Sequence, residues 1–177
     1  MNAGHRLVAK RLSVIALGAL LGAASLAVDG RADYIQGEQA YSQRQFTRAI
    51  EEFKPLLERG HPGAEMMTGL MYLQGDGYPR NPAKAAVWLY KAATKGDHSA
   101  QLVFGSQRLY GHGISRDLVD AFKWLTLAAG SENAGVAQQA IVFRDAAQAA
   151  MTDREIETAT ESAARFHPWR DGFVNED

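Results

Sequence analysis

Residues 64–96 read AEMMTGLMYLQGDGYPRNPAKAAVWLYKAATKG, and residues 100–130 read AQLVFGSQRLYGHGISRDLVDAFKWLTLAAG. With Ala64 set over Ala100 the two stretches run together without a gap, every match at an offset of 36. Gly69 falls on Gly105, Leu73 on Leu109, Gly75 on Gly111 and Gly77 on Gly113. Arg80 falls on Arg116, Ala85 on Ala121, Trp88 on Trp124, Leu89 on Leu125, and Ala92-Ala93 on Ala128-Ala129. Self-similarity at a period of this size marks a stack of like supersecondary units, each too small to bury its apolar face alone.

Each unit reads as helix, turn, helix. The first helix is expected from Ala64 to about Leu73, ended by Gly75-Asp-Gly77, since glycine takes the left-handed conformation that helix C-termini use. Asn81 is the natural cap of the second helix, with Pro82 at its first position, where a missing N–H costs nothing. That helix is expected to reach about Lys95, with Gly96 as its stop. Ala85, Trp88, Leu89, Ala92 and Ala93 recur at spacings of three and four and form one buried face. The second copy repeats this logic, with Asp117 as cap and Gly130 near the stop. Gly69 and Gly105 fall in mid-helix, where glycine costs about 1 kcal/mol relative to alanine. The cost makes sense where another helix crosses at close range. Trp88 and Trp124 are both expected to be buried between units.

The pattern Ala64, Gly69, Tyr72, Gly75, Gly77, Tyr78, Asn81, Lys84, Ala85, Trp88, Ala92, Ala93, Gly96 resembles the Sel-1-like repeat. The copy through Ala100, Gly105, Gly111, Gly113, Ile114, Asp117, Ala121, Trp124, Ala128 and Ala129 resembles it too. It departs at Arg108, which stands where Tyr72 stands, and at its closing glycine, shifted to Gly130. Tyr72 is expected to pack behind the turn, whereas Arg108 is free to point into a groove. Upstream, Gly37, Ala40, Tyr41, Phe46, Ala49, Ile50, Phe53, Leu56 and Leu57 are similar to a tetratricopeptide unit with a shorter turn at 42–45. Pro55 lies inside its second helix and is expected to kink it. The resemblance implies an all-α fold, a right-handed α-solenoid of antiparallel helix pairs.

The chain then divides into a first repeat at 33–62, Sel-1-like repeats at 63–99 and 100–133, and a C-terminal helix pair at 134–168 that caps the solenoid. Residues 169–177 form a tail. Within the terminal pair, Ala134–Ala149 reads as a helix, Thr152 and Glu155 form a capping box, and His167-Pro168 is the expected stop. The remaining residues, 1–32, read as a signal peptide. Arg6, Lys10 and Arg11 precede a run of 17 uncharged residues, 12–28, and small residues follow at Ser25, Ala27, Gly30 and Ala32. Cleavage after Ala27 or after Ala32 fits, with Ala32 preferred because Asp33 then opens the folded part. The alternative is an uncleaved anchor in the inner membrane, although a span typically needs about 20 apolar residues.

Composition narrows the function. The 177 residues include 30 alanines, 17 glycines and no cysteine, which excludes a disulfide scaffold and a thiolate nucleophile or metal site. Formal net charge is −1. Residues 1–32 hold four of the 19 Lys/Arg and one of the 20 Asp/Glu, so the rest carries 15 against 19, a net of −4. Such a chain suits neither nucleic acid nor an anionic membrane as partner. Gly75-x-Gly77 and Gly111-x-Gly113 lack the third glycine and preceding strand of a phosphate cradle. His61, His98 and His112 fall in or beside turns and are expected to be solvated. Glu51-Glu52 and Glu155-x-Glu157 read as solvated helix faces. No catalytic, cofactor-binding or metal-ligating residue is nominated.

The resemblance implies a concave face lined by first helices. Tyr34, Glu38, Met66, Leu70, Gln74, Ser106, Arg108 and Tyr110 are its candidates, with Tyr41 and Leu102 beside them. It also implies an exported scaffold for protein–protein interaction, in an assembly of the cell envelope. A peptidoglycan- or glycan-binding module is the alternative. A β-lactam-binding or -hydrolysing enzyme, as among cysteine-rich relatives of the repeat, lacks its paired cysteines here.

Overall fold

The structure, a computed structural model, describes residues 30–168; the expected signal peptide, up to residue 29, and the tail at 169–177 lie outside the described residues. Within them the chain runs α1 (Gly30–Ser42), α2 (Phe46–Glu58), α3 (Pro62–Gln74), α4 (Pro82–Thr94), α5 (His98–Tyr110), α6 (Leu118–Ala128), α7 (Ala134–Gln148) and α8 (Asp153–Ala164). No strand occurs among the described residues, and no helix there is long and apolar enough to cross a membrane. The period in the sequence is a period in space. Both ends of α3 and α5 differ by 36 residues, as do both ends of α2 and α4. The first unit differs only in its turn, residues 43–45 against 75–81 in the second unit. Arg44 takes the left-handed conformation there, at φ 58°.

Local chemistry sets the boundaries. Asn81 Oδ1 accepts from the Lys84 amide at 3.0 Å, and Asp117 Oδ1 accepts from the Asp120 amide at 2.9 Å. Gly75 and Gly111 cap α3 and α5 at φ 86° and 73°. The first helix of each repeat begins two residues earlier than expected, because His61 and Asp97 are its caps. His61 Nδ1 accepts from the Ala64 amide at 3.3 Å, and Asp97 Oδ1 from the Ala100 amide at 2.8 Å. His61 is therefore not a solvated turn histidine. The capping box at α8 forms, with Glu155 Oε2 accepting from the Thr152 amide at 2.7 Å. Gly130 falls just past the end of α6 at Ala128, near the stop as expected, and Pro55 lies inside α2, which runs to Glu58. One expected end shifts: α8 ends at Ala164, short of His167-Pro168.

Three apolar clusters run along the stack, each between neighbouring helices. Phe53, Leu56 and Met71 anchor the first, Leu89 and Trp124 the second, and Leu109, Phe122 and Leu125 the third. The mid-helix glycines sit at close crossings. A Cβ on Gly69 would lie 2.7 Å from Leu89 Cγ, and one on Gly105 would lie 2.8 Å from Leu125 Cγ. The second glycine of each Gly-x-Gly has a role beyond the turn. A Cβ on Gly77 would meet Phe46 Cβ at 2.9 Å, and one on Gly113 would meet the Pro82 carbonyl carbon at 2.5 Å. Phe46 and Pro82 are the first residues of α2 and α4, again 36 apart. The turn of each Sel-1-like unit is thus seated on the start of the preceding unit's second helix.

The two tryptophans are not equivalent. Trp124 is 2% exposed, inside a cluster with Phe104 at 5.8 Å and Phe166 at 5.5 Å between ring centroids. Trp88 is half-buried, with Lys91 Nζ 4.3 Å above its ring. Its expected burial between units is not what the structure shows, because α8 and Phe166 close over the later repeat beside Trp124. Both α7 and α8 pack on α6, and Ala140 and Ala147 of α7 share one apolar cluster with Ala159 of α8.

Candidate functional site

Among the described residues four polar side chains are buried, and two of them, Gln101 and Gln107, bridge units. Gln101 Nε2 donates to the Ala93 carbonyl at 3.1 Å. Gln107 Nε2 donates to the carbonyls of Pro82 and His112 at 3.1 and 2.9 Å. Glu65 pairs with Lys95 at 3.0 Å, and Lys95 also donates to the Gly60 carbonyl at 2.6 Å. Thr68 completes the set. A cavity of about 450 Å³ lies beside this ion pair, bordered by Glu58, Arg59 and Thr94. None of these residues was singled out from the sequence, where a lone Glu or Gln on a helix reads as surface.

The expected concave-face residues scatter. Tyr34 donates to Glu38 Oε1 at 2.8 Å and stacks on His61 with centroids 5.1 Å apart. Burial and then Glu38 push the Tyr34 hydroxyl well above the usual range. Burial pushes the His61 imidazole down, against the pull of Asp97, and burial pushes the Asp97 carboxyl up. At the other end of α1, Tyr41 donates to Gln74 Oε1 at 2.7 Å and to Asp76 Oδ2 at 2.9 Å. Burial first, then Asp76, push Tyr41 up to about 12. Met66, Leu70 and Leu102 are taken into the clusters between units. Ser106 donates to the Val103 carbonyl. Tyr110 meets Phe143 of α7 edge-on at 5.9 Å. These positions do not gather into one groove. The physical reason is that successive helices pack in chain order, α2 on α3 and α4 on α5, which uses much of the first helices' apolar surface within the stack.

A groove does exist, of about 790 Å³, and Arg108 is the expected candidate that lines it. Its first wall is α4, through Ala83, Ala86, Val87, Tyr90 and Lys91. Its second is α6 and the turn before it, through Ile114, Asp117, Val119, Asp120, Lys123 and Trp124. Phe104 and Arg108 of α5 and Ser162 of α8 complete the lining. Val87 and Tyr90 are 57% and 48% exposed. Tyr90 packs on Phe104 at 5.4 Å and edge-on to Trp124 at 5.9 Å, so the exposed ring is held in a rigid aromatic cluster.

The polar groups of this groove divide by how they are held. Arg108 pairs with Asp120 at 2.8 Å, donates to the Ser115 carbonyl at 3.3 Å, and lies 5.5 Å above the Phe104 ring. Asp117 is engaged as the α6 cap. The cations of Lys91 and Lys123 instead rest on the faces of Trp88 and Trp124, at 4.3 and 4.7 Å. Trp124 keeps its indole N–H without an acceptor among the described residues. Arg108 was legible as a departure from Tyr72. The α4 residues were not, since Val87 and Tyr90 read as the ordinary outer face of a second helix.

Stacked helix pairs without a strand among the described residues define an all-α helical repeat solenoid. The chain carries two Sel1 repeats, at residues 62–97 and 100–132. Repeats of this kind typically mediate protein–protein interaction. No curated protein matches the sequence. Among solved structures, the chain is similar to c5321, a protective antigen present in uropathogenic Escherichia coli strains that displays an SLR fold. The TM-score is 0.70 at 25% identity, over 78% of this chain and 30% of that one. It is also similar in fold to a Sel1 repeat protein from Oxalobacter formigenes, with TM-score 0.55 at 24% identity, over 70% of this chain and 56% of that one. This chain therefore spans about a third and just over half of those two proteins.

Proposed function

We propose that the protein is an exported scaffold that holds a segment of a partner protein in the groove between α4 and α6, within a cell-envelope assembly. One observation carries the choice of site: the exposed Val87 and Tyr90 converge on a groove of about 790 Å³ floored by Phe104 and Trp124. Apolar groups exposed together, rimmed by charge and rigidly backed, are the usual make-up of a binding patch. Tyrosine adds a polar tip at low entropic cost.

Export rests on the N-terminal sequence. Cleavage after Ala27 or after Ala32 fits it, with Ala32 preferred because Asp33 then opens the folded part. In-cell photocrosslinking from residue 90 tests the scaffold reading. A discrete adduct with one envelope protein is expected from position 90, and none from position 142, where Val142 is also exposed but outside the groove. Equal labelling from both positions would refute the groove as the site.

A further inference from the structure

We infer that the segment held in this groove is acidic, a peptide whose apolar side chains alternate with carboxylates. The inference rests on the groove being a peptide site and adds the chemistry of its ligand. The groove's own acids are spent within the fold. Asp120 is paired with Arg108 at 2.8 Å, and Asp117 caps α6 through the Asp120 amide. Its lysines are not spent in this way. Among the described residues neither Lys91 nor Lys123 is ion-paired, and each is held on an indole face, at 4.3 and 4.7 Å. They stand on opposite walls, one from α4 and one from α6, with Tyr90 in the same lining.

An ammonium on an aromatic face keeps most of its charge available, and the ring restricts where it points. Two such cations flanking an apolar slot favour a ligand that brings carboxylates on either side of an apolar anchor. A basic segment would set like charges against both walls, at a cost in affinity and in association rate. The setting sharpens the contrast, since the chain outside residues 1–32 is net acidic while this groove presents its cations. General electrostatics would repel an acidic partner, so attraction here has to be local.

Three fluorescein-labelled dodecapeptides with identical apolar residues test this on the full chain by anisotropy. The intervening positions are Asp/Glu in the first, Ser/Gln in the second and Lys/Arg in the third. The acidic peptide is expected to bind about five- to tenfold more tightly than the neutral one at low salt, from two partly screened ion pairs. That advantage should shrink at high salt and vanish in the Lys91→Gln/Lys123→Gln double variant. Tyr90→Ser should weaken the acidic and the neutral peptide alike. If acidic and neutral peptides bind equally and both lose affinity in Tyr90→Ser, the groove stands as a peptide site and the acidic preference is refuted. If no peptide binds, or Tyr90→Ser leaves binding untouched, the groove reading itself falls. Concentration-dependent self-association abolished by Val87→Asp would assign the groove to a second copy and overturn both. Circular dichroism establishes that each variant remains helical.

Discussion

The second glycine of the Gly-x-Gly turn separates a turn residue from a docking residue, and Gly113→Ala against Gly111→Ala measures the difference. Both glycines are left-handed, at φ 82° and 73°. An L side chain in that conformation costs about 1–2 kcal/mol, which is the whole expected loss at Gly111. There the nearest atom to an added Cβ is Arg116 Cβ at 3.5 Å, an ordinary contact. At Gly113 the added methyl falls 2.5 Å from the Pro82 carbonyl carbon and 2.7 Å from its oxygen. Those are backbone atoms at the start of α4, and Gln107 also donates to that carbonyl. They cannot rotate aside as a side chain can. The turn or the helix start must shift, which adds about 1–3 kcal/mol of overpacking. Gly113→Ala should therefore lose about 2–5 kcal/mol, and Gly111→Ala about 1–2 kcal/mol. Urea unfolding followed by tryptophan fluorescence reads both, provided the slope of the transition is unchanged. Losses equal to within about 0.5 kcal/mol would show that the turn is not seated on Pro82, and the account of how these units dock would fail.

Other outcomes follow from the same contacts. Trp124→Ala should cost about 3–5 kcal/mol and Trp88→Ala distinctly less, since the first ring is enclosed and the second half-buried; equal losses in chemical denaturation would contradict that burial. Asn133→Ala removes the side chain that caps α7 at the amides of Gly135 and Val136, and a loss of about 0.5–2 kcal/mol is expected in the same assay. His61 is held neutral by burial and uses Nδ1 as an acceptor. With its folded pKa below the unfolded value of about 6.5, its contribution is present above that pH and is lost as pH falls through the folded value. Asp97, pushed up by burial, works in the opposite sense over its own range, so the comparison is with His61→Asn, which keeps an acceptor and cannot titrate. Melting temperatures of wild type and variant should diverge as pH drops from 7 to 5, and parallel curves would refute the role given to His61. N-terminal sequencing of the exported protein should begin at Val28 or at Asp33, and an uncut N-terminus would refute cleavage.

Much of the fold was legible because its determinants are local and repeat. Offsets of 36 at Gly69/Gly105 and Trp88/Trp124 announced stacked units, and Asn81, Asp117 and Thr152 announced helix starts. Caps and left-handed glycines act within four residues, so sequence spacing carries them whole. The caps His61 and Asp97 were both missed, because they stand at the same place in successive repeats but share no residue type for the offset of 36 to mark.

The groove was legible in part. Arg108 showed itself at a position where Tyr72 belongs to the pattern, but Val87, Tyr90 and Lys91 fall at positions the two copies do not share, over Lys123, Thr126 and Leu127, and carried no mark. What alters them is outside their repeat: α6 and α8 come round from residues more than 25 positions away and turn an ordinary outer face into one wall of a cavity. The same approach of α8 separates Trp88 from Trp124, two residues the sequence makes identical. Units that are alike in sequence differ in burial because α8 packs on α6 of the later one. Period, caps and crossings were set by local residue chemistry; which repeated face is core and which is groove was decided by the neighbours that tertiary packing brought to it.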